Sequence, residues 1–323
     1  MHDRATQWLQ GRTFREVDIA FDDVLRAKSA TRISVVIPAH NEASTIGTII
    51  ARIREDLMIR SNLVDELIVI DSDSVDETAT VALAAGAAVF AAADIEPELG
   101  WRPGKGEAMW KSLFVTTGDV IVFVDADLMN FSSRYVVGLA APLLFDEGIS
   151  LVKGFYDRDL ALDGAGKSQG GRVTELTARP LISLWWPELA GVIQPLAGEW
   201  SARRNLLQTL DFPSGYGIEF ASLIDTYEML GLDAIAQVDL GVRRHVHQDL
   251  ASLGAMAAEV IAAAARRRFD DAAPVEAVIC HVGRSATGVA DEWTARPINH
   301  AERPARASLG EHRPNSRAVE GAR

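Results

Sequence analysis

The sequence predicts an α/β fold, in which a mixed, mostly parallel sheet is flanked by helices. From residue 33 onward, short apolar runs alternate with segments of helical periodicity, a pattern typical of parallel strands joined by crossover helices. Three of the apolar runs end in polar clusters, at residues 38–42, 71–74 and 125–127. Ligands of open parallel sheets bind beyond the carboxyl ends of the strands, so these clusters should share one edge.

The first two elements are predicted between residues 33 and 57. The apolar run at 33–37 predicts a buried strand, which Pro38 should end because proline cannot donate to a sheet ladder. Asn41 is placed to cap the helix that follows. That helix has an apolar face of five residues at helical spacing: Ile46, Ile49, Ile50, Ile53 and Leu57.

Three further strands are predicted in the first half of the chain, at residues 67–70, 87–91 and 120–124. A capping-box pattern at 74–77 should open a helix that Gly86 closes. Another helix is predicted over residues 107–117. The last of the three strands is the most apolar, and it leads directly into Asp125.

The second half is less regular. Its predicted elements are a glycine-rich loop at 165–171, a helix at 217–231, a strand at 234–238 and a helix at 250–269. Few large apolar residues follow Gly283, which predicts a poorly ordered tail. The chain is therefore divided into an N-terminal extension (1–30), one domain with halves of about 31–150 and 151–270, and a tail (271–323).

Composition limits the classes of function. The 323 residues carry a formal net charge of -13, which argues against a nucleic-acid partner because phosphate backbones select basic surfaces. The single cysteine, Cys280, allows no intrachain disulfide and fits a reducing compartment. The N-terminus lacks the apolar core of a signal peptide, and no apolar run approaches the ~20 residues that span a bilayer. We expect a cytoplasmic protein without an integral membrane segment.

Asp125 and Asp127 are the first candidates for chemistry. Residues i and i+2 leaving a strand point to the same side, so both carboxylates can face one site. Carboxylate oxygens suit Mg²⁺ or Mn²⁺, and such an ion neutralises the charge of a diphosphate leaving group. A solvated strand-to-loop turn is the alternative interpretation.

Two basic residues lie in glycine-rich segments before predicted helices. Lys105, between Gly104 and Gly106, can serve as a point charge for a phosphate at a helix N-terminus. Arg172, after a pair of glycines, can grip a carboxylate or phosphate with its planar fork, and Thr174 can add a hydroxyl. Exposed loop cations without a ligand are the alternative.

Histidines near residue 245 are candidate metal ligands. A neutral imidazole of His245 can complete a metal site begun by Asp127. Arg243, His245 and His247 alternate, so an extended segment would direct all three toward one pocket. Surface histidines are the alternative. Glu199 and Glu219 are two further acids to which the sequence assigns no role.

Taken together, these motifs resemble a known family. The three polar clusters (PAHNE, DSDS and DAD) look like the nucleotide-sugar half of GT-A glycosyltransferases, which are Rossmann-like. Five further segments narrow the resemblance to the glucosyl-3-phosphoglycerate synthases of actinobacteria: RPGKGEA at 102–108, GGRVTEL at 170–176, QPLAGE at 194–199, GYG at 215–217 and DAIAQV at 233–238. The resemblance covers roughly residues 32–268, and the combination of motifs is more specific than any one of them.

The resemblance implies a retaining transfer of glucose from UDP-glucose or GDP-glucose to the 2-hydroxyl of 3-phosphoglycerate, a step that begins glucosylglycerate or methylglucose lipopolysaccharide synthesis. It also implies a homodimer and a divalent ion, Mg²⁺ or else Mn²⁺ or Co²⁺. Residues 31–150 would bind the nucleotide sugar, and the helical part of 151–270 would bind the acceptor. We expect attack from the face of the leaving group, since no carboxylate stands out as a nucleophile.

Individual roles follow from the matching positions. The nucleotide sugar would be bound by Pro38, His40, Glu42, Ser72, Lys105, Asp125, Ala126 and Tyr216. The acceptor would be bound by Gly171, Arg172, Thr174, Arg243 and His247. Asp127 and His245 would hold the metal, and Asp127, Arg172 and Arg243 would be catalytic. His40 departs from the family, which usually has leucine there, and His247 stands where some relatives have asparagine.

Four alternatives remain open from the sequence. A mannosyl-3-phosphoglycerate synthase that uses GDP-mannose shares most of these motifs. A GT-A transferase acting on another acceptor, such as a lipid phosphate, is a second. A nucleotidyltransferase is a third, although it would normally have a glycine-rich loop after the first strand. The last is a nucleotide-sugar-binding protein without activity.

Overall fold

The computed structural model describes residues 2–158, 171–243, 250–269, 277–284 and 291–310. Its centre is an eight-stranded sheet whose strands are ordered β1-β9-β6-β7-β5-β2-β3-β4. All neighbouring pairs are parallel except those of β7, which runs antiparallel to both β5 and β6. The predicted α/β class with a mixed, mostly parallel sheet is therefore confirmed.

The strands of this sheet are β1 (Thr13–Arg15), β2 (Ile33–Ala39), β3 (Glu66–Asp71), β4 (Ala88–Ala91), β5 (Val120–Phe123), β6 (Leu151–Arg158), β7 (Trp200–Arg203) and β9 (Ile235–Arg243). Outside it, β8 (Phe212–Pro213) pairs with β12 (Glu302–Arg303), and β10 (Val278–Arg284) pairs with β11 (Asp291–Pro297).

The helices are α1 (His2–Gly11), α2 (Phe21–Lys28), α3 (Ile46–Ile53), α4 (Thr78–Ala85), α5 (Lys105–Val115), α6 (Arg134–Phe145), α7 (Arg179–Trp185), α8 (Arg204–Leu207), α9 (Ile218–Leu230) and α10 (Leu250–Arg268). Within the described ranges, none of them is long and apolar enough to cross a membrane.

Helices cover both faces of the sheet, and β2 shows how. Val35 and Ile37 belong to a core shared with α3 and α6, whereas Val36 belongs to a second core shared with α5 and α9. This alternation is the pleat of a strand that is buried on both sides. The apolar face predicted for α3 is confirmed, because its four isoleucines are fully buried.

Pro38 does not end its strand, contrary to the prediction. β2 continues to Ala39, and Pro38 pairs in register with Ile70 of β3. On its other side, β2 is paired with β5 only as far as Val36. Along a strand, the backbone N–H groups point alternately toward the two neighbouring strands. The N–H that Pro38 lacks would point toward β5, which has already diverged from β2 at this residue.

Two predicted helix starts are also wrong. Asn41 does not cap α3, which begins at Ile46; its side-chain oxygen instead accepts a hydrogen bond from the backbone N–H of Val75, at 2.8 Å. The helix assigned to a capping box begins at Thr78, where Asp76 accepts from the Thr78 N–H at 3.0 Å. Asp76 also accepts from the N–H of Ala43 at 3.2 Å. Asn41 and Asp76 therefore both join the loop after β2 to the loop after β3, a tertiary contact that local sequence patterns do not reveal.

Residues 2–15 and 298–310 pack more closely than the sequence suggests. The segment assigned as an extension adds β1 to the sheet, and Trp8 donates its indole N–H to the carbonyl of Ile235 at 2.9 Å. Residues 298–310, predicted as poorly ordered tail, lie against α5. The side chain of Arg303 donates to both carboxylate oxygens of the fully buried Glu107, at 2.6 and 2.7 Å. Pairing of β12 with β8 and packing of Leu309 against the core that contains α5 add to this ion pair.

Replacing Arg303 by methionine should strongly destabilise the fold. Glu107 would keep its buried position without a counterion, and breaking a buried pair from one side costs about 3–5 kcal/mol. Chemical denaturation monitored by circular dichroism measures this loss. Arg306→Met is the matched control, because Arg306 stacks on Phe114 at 4.4 Å, worth about 0.5–1 kcal/mol, and also donates to the carbonyl of Gly310 at 3.0 Å. Equal losses in the two variants would contradict a special role for the Arg303 pair.

Candidate active site

The polar clusters that follow β2, β3 and β5 meet at one edge of the sheet. Thr45, in the loop after β2, donates its hydroxyl to the carbonyl of Ala126 at 2.7 Å. His40 contacts the carbonyl of Ser72 through Nδ1 at 2.7 Å, so this nitrogen carries the proton and donates it. Pro38 lies beside these loops at the end of β2. The predicted convergence of the three clusters is therefore present.

Asp125 lies between two cations. Its Oδ1 accepts from Lys105 Nζ at 2.5 Å, and its Oδ2 lies 3.3 Å from Arg243 Nη2. Gly198 packs against the same carboxylate so closely that a Cβ there would lie 2.2 Å from Oδ2. Burial opposes ionisation of Asp125, but Lys105 and Arg243 hold its pKa below the usual range. Asp125 is thus a fixed anion.

Lys105 is positioned by the start of α5 and the loop before α9. Its Nζ also lies 2.7 Å from Glu219 Oε1, so the lysine bridges two carboxylates. Burial opposes its protonation, yet Asp125 and Glu219 raise its pKa well above the ordinary value. At Gly106 a Cβ would lie 1.8 Å from the carbonyl oxygen of Pro213, which explains the glycine. Tyr216 lies on the loop before α9, and 41% of its surface is exposed.

Arg243 enters the site because of a bulge in β9. Between the pairs Phe155–Asp239 and Asp157–Val242, β9 has one more residue than β6. Gly241 lies in this bulge with φ of 82°, where glycine is not strained. The extra residue reverses the alternation of side chains, so Arg243 is buried and Val242 is half exposed. A simple alternating strand would have directed the arginine elsewhere.

The guanidinium of Arg243 joins several acidic and phenolic groups. Nη2 donates to Asp127 Oδ1 at 2.9 Å, while Nη1 lies 2.6 and 2.7 Å from the two carboxylate oxygens of Glu199. Tyr156 adds its hydroxyl at 3.0 Å and its ring at 5.1 Å from Cζ. Arg243 is only 3% exposed, so these contacts fix its orientation.

Asp127 is the carboxylate best suited to a divalent ion. Its side chain is 48% exposed, compared with 19% for Asp125. Burial and the neighbouring charge of Asp125 raise the pKa of Asp127, and a bound cation would relieve that repulsion. Glu42 faces the same two aspartates, and burial together with their charges raises its pKa to about 7. These oxygen donors fit Mg²⁺ or Mn²⁺.

The predicted histidine ligand cannot be placed beside Asp127. His245 and His247 lie in residues 244–249, outside the described part of the chain. Among the described residues, no group of three or more His, Cys, Asp or Glu side chains is arranged to hold a metal ion. The metal assignment of Asp127 and His245 therefore stays a prediction.

The predicted acceptor segment begins where the description resumes. Gly171 and Thr174 are buried and Arg172 is exposed, at the start of a helical stretch that continues into α7. The carbonyl of Gly171 accepts the N–H of Glu175 at 2.9 Å. The preceding residues, 159–170, include most of the predicted glycine-rich loop and lie outside the described residues.

Sequence reasoning leaves four residues of this site without a role or unmentioned: Glu199, Glu219, Tyr156 and Lys153. Glu199 was a candidate acid only, although its position after Gly198 in the QPLAGE motif was a signal. No sequence pattern points to Tyr156. Lys153 could have been found, because it is a charged residue within the apolar start of β6. It is 1% exposed and donates to the carbonyl of Ala197 at 2.9 Å. Burial lowers the pKa of Lys153 to about 7.

Known proteins share this fold and a large part of this sequence. Residues 34–143 match the profile of Glycosyl transferase family 2. The glucosyl-3-phosphoglycerate synthase of Mycolicibacterium smegmatis is 43% identical over 312 residues, which cover 94% of this chain and 98% of the relative.

Two solved structures extend the comparison. The glucosyl-3-phosphoglycerate synthase of Mycobacterium tuberculosis, in complex with Mn²⁺, UDP-glucose and phosphoglyceric acid, has a TM-score of 0.78 and 44% identity, covering 90% of this chain and 95% of that one. The mannosyl-3-phosphoglycerate synthase of Rubrobacter xylanophilus has a TM-score of 0.86 and 36% identity, covering 95% and 98%. With its GT-A fold and this extent of identity, the chain belongs to the glucosyl-3-phosphoglycerate synthase family of glycosyltransferases.

Proposed function

We propose that this protein transfers glucose from a nucleoside-diphosphate donor, UDP-glucose in the first instance, to the 2-hydroxyl of 3-phosphoglycerate. The observation that carries the proposal is the cluster of Asp125, Asp127, Lys105 and Arg243 at the carboxyl edge of the sheet. It combines fixed cations for phosphate groups with an exposed carboxylate for a metal ion. The M. tuberculosis relative has been solved with a donor, an acceptor and Mn²⁺ together.

The roles of individual residues are part of the proposal. Asp127 would hold the divalent ion, with His245 as a second ligand. When bound, such an ion stabilises the charge that develops on the departing diphosphate. Lys105 is fixed as a cation for the same phosphates. Arg172 and Thr174 would position the phosphoglycerate, since correct orientation removes several kcal/mol, roughly 7–11 at best, from a barrier.

The roles of the remaining site residues are assigned from the resemblance to the family. Pro38, His40, Glu42, Ser72, Asp125, Ala126 and Tyr216 would line the donor site. Gly171, Arg243 and His247 would contribute to the acceptor site. The ring of His40 contacts the carbonyl of Ser72, at a position where the resemblance implies leucine.

The contacts of the two inner acids support same-face attack with retention. Glu199 is fully buried, and both of its oxygens contact Arg243. Glu219 is paired with Lys105. Neither acid is placed as a nucleophile that could form a covalent glycosyl intermediate, so we propose that the departing phosphate accepts the proton of the acceptor hydroxyl.

Transfer of mannose from GDP-mannose is the second candidate function. It is favoured by the TM-score of 0.86 with the R. xylanophilus mannosyl-3-phosphoglycerate synthase. Family membership sets aside the nucleotidyltransferase alternative. A homodimer that acts in the cytoplasm and does not bind nucleic acid remains a prediction.

Release of nucleoside diphosphate tests both functions in one assay. UDP-glucose, GDP-glucose and GDP-mannose are each incubated with Mg²⁺ or Mn²⁺, with and without 3-phosphoglycerate. We expect release that depends on 3-phosphoglycerate and is fastest with UDP-glucose. Fastest release with GDP-mannose would support the second candidate, and no acceptor-dependent release would contradict both.

Replacing Asp127 by asparagine should reduce turnover by at least about 100-fold, because even outer-sphere changes around a metal cost 10- to 100-fold. The metal concentration for half-maximal rate should rise as well. Asp22→Asn, an exposed change on α2, is the control. Wild-type turnover with an unchanged metal requirement would remove Asp127 from the metal site.

Replacing Gly198 by alanine should reduce turnover by about 10- to 100-fold, because a displacement of about 1 Å in an active site has effects of that size. The new methyl group would overlap the carboxylate of Asp125. Gly11→Ala, which meets no atom within 4 Å, is the control. Full activity of the Gly198 variant would show that the position of Asp125 is not critical.

A further inference from the structure

Arg243 is divided between an inner and an outer set of carboxylates. Its Nη1 faces inward, 2.6 and 2.7 Å from the two oxygens of Glu199, and also lies 3.4 Å from Asp125 Oδ2. Its Nη2 faces outward, 2.9 Å from Asp127 and 3.3 Å from Asp125. One guanidinium thus contacts three carboxylates, and its position depends on how strongly each of them attracts it.

Glu199, the inner carboxylate, is held in place by the sheet. Glu199 is 0% exposed, and its carbonyl accepts the N–H of Gly154 in β6 at 2.9 Å. β7 begins at the next residue, between β5 and β6. The hydroxyl oxygen of Tyr156 accepts a further hydrogen bond from Nη1 at 3.0 Å. Glu199 therefore presents a carboxylate whose place is set by the centre of the sheet.

Of the two outer acids, Asp127 is the more exposed and the more loosely held. The side chain of Asp127 is 48% exposed and its contact with Arg243 is a single one, through Oδ1. A divalent ion that binds Asp127 competes with the guanidinium for the same carboxylate. An arginine released from Glu199 would move outward and pair more fully with Asp127, since a planar guanidinium favours two parallel contacts with one carboxylate.

We infer that Glu199 is a positioning residue: it anchors Arg243 on the inner side of the two aspartates and so keeps Asp127 available for the divalent ion. The inference rests on the proposed function. It assigns Glu199 no contact with either substrate, because the side chain is completely buried and both oxygens contact Arg243. Its effect passes through the arginine.

The test replaces Glu199 by glutamine, which keeps the shape and removes the charge. Binding of Mn²⁺ in the presence of UDP is followed by the electron paramagnetic resonance of free Mn²⁺, and steady-state rates are measured on the same samples. Changes in the outer shell of metal sites typically cost 10- to 100-fold in affinity, so we expect Mn²⁺ affinity to fall at least about tenfold. The rate at limiting Mn²⁺ should fall in parallel.

A double variant separates positioning from general damage. If Glu199 acts through Arg243, then Glu199→Gln should have little further effect on Mn²⁺ affinity in an Arg243→Gln background. Asp225→Asn is the matched control, since Asp225 makes two 2.7 Å contacts with Arg267 outside the site. It should leave Mn²⁺ affinity unchanged. Equal losses of affinity in both backgrounds would overturn the inference.

Unchanged Mn²⁺ affinity in a folded Glu199→Gln variant would also overturn it. Should that variant fail to fold, Glu199→Asp decides the question. The shorter carboxylate keeps the charge but cannot reach Nη1 with both oxygens, so Mn²⁺ affinity must fall severalfold, and wild-type affinity contradicts the inference. Acceptor-dependent release of UDP by the wild-type protein is measured alongside. Its absence would count against the proposed function and not against the role of Glu199.

Discussion

The structure of the site depends on how charge is compensated around Asp125. This carboxylate lies at the end of the most apolar strand, and it contacts Lys105 on one side and Arg243 on the other. Each cation is shared with another acid, Glu219 and Glu199 respectively. Because buried charges are stable only when paired, these five side chains constrain one another. They lie in α5, α9 and β9 and directly beside β5 and β7, so segments from both halves of the chain form the site.

Close backbone approach is the second condition for this arrangement. Gly198 leaves room for the carboxylate of Asp125, and Gly106 allows the start of α5 to touch the loop before α9. Residues 298–310 hold the start of α5 in place, because Arg303 neutralises the buried Glu107 in the first turn of this helix. The helix that carries Lys105 is therefore fixed by residues nearly two hundred positions away. The role proposed for Lys105 at a phosphate group needs a cation in a fixed position, and these contacts hold the helix that carries it.

Among the described residues at the sheet edge, acids outnumber cations, and this imbalance is a reason to expect a metal ion there. Lys105 and Arg243 are both already shared between carboxylates, while Asp127 and Glu42 remain near one another with raised pKa values. A divalent ion would supply the missing positive charge together with the charge needed by a diphosphate. The anchoring of Arg243 by Glu199 fits the same logic, since an arginine free to move would satisfy Asp127 in place of the ion.

The sequence by itself determined the α/β class, most strand and helix positions, and the convergence of three polar clusters. These follow from periodicity and from the rule that parallel strands end at one edge. Only the tertiary structure decided that β2 runs through Pro38, that residues 298–310 pack on α5, and that Glu199 contacts Arg243. The physical reason is common to all three. A diverging neighbour strand, a buried counterion and a bulge at Gly241 are relations between distant segments, and local patterns carry no information about them.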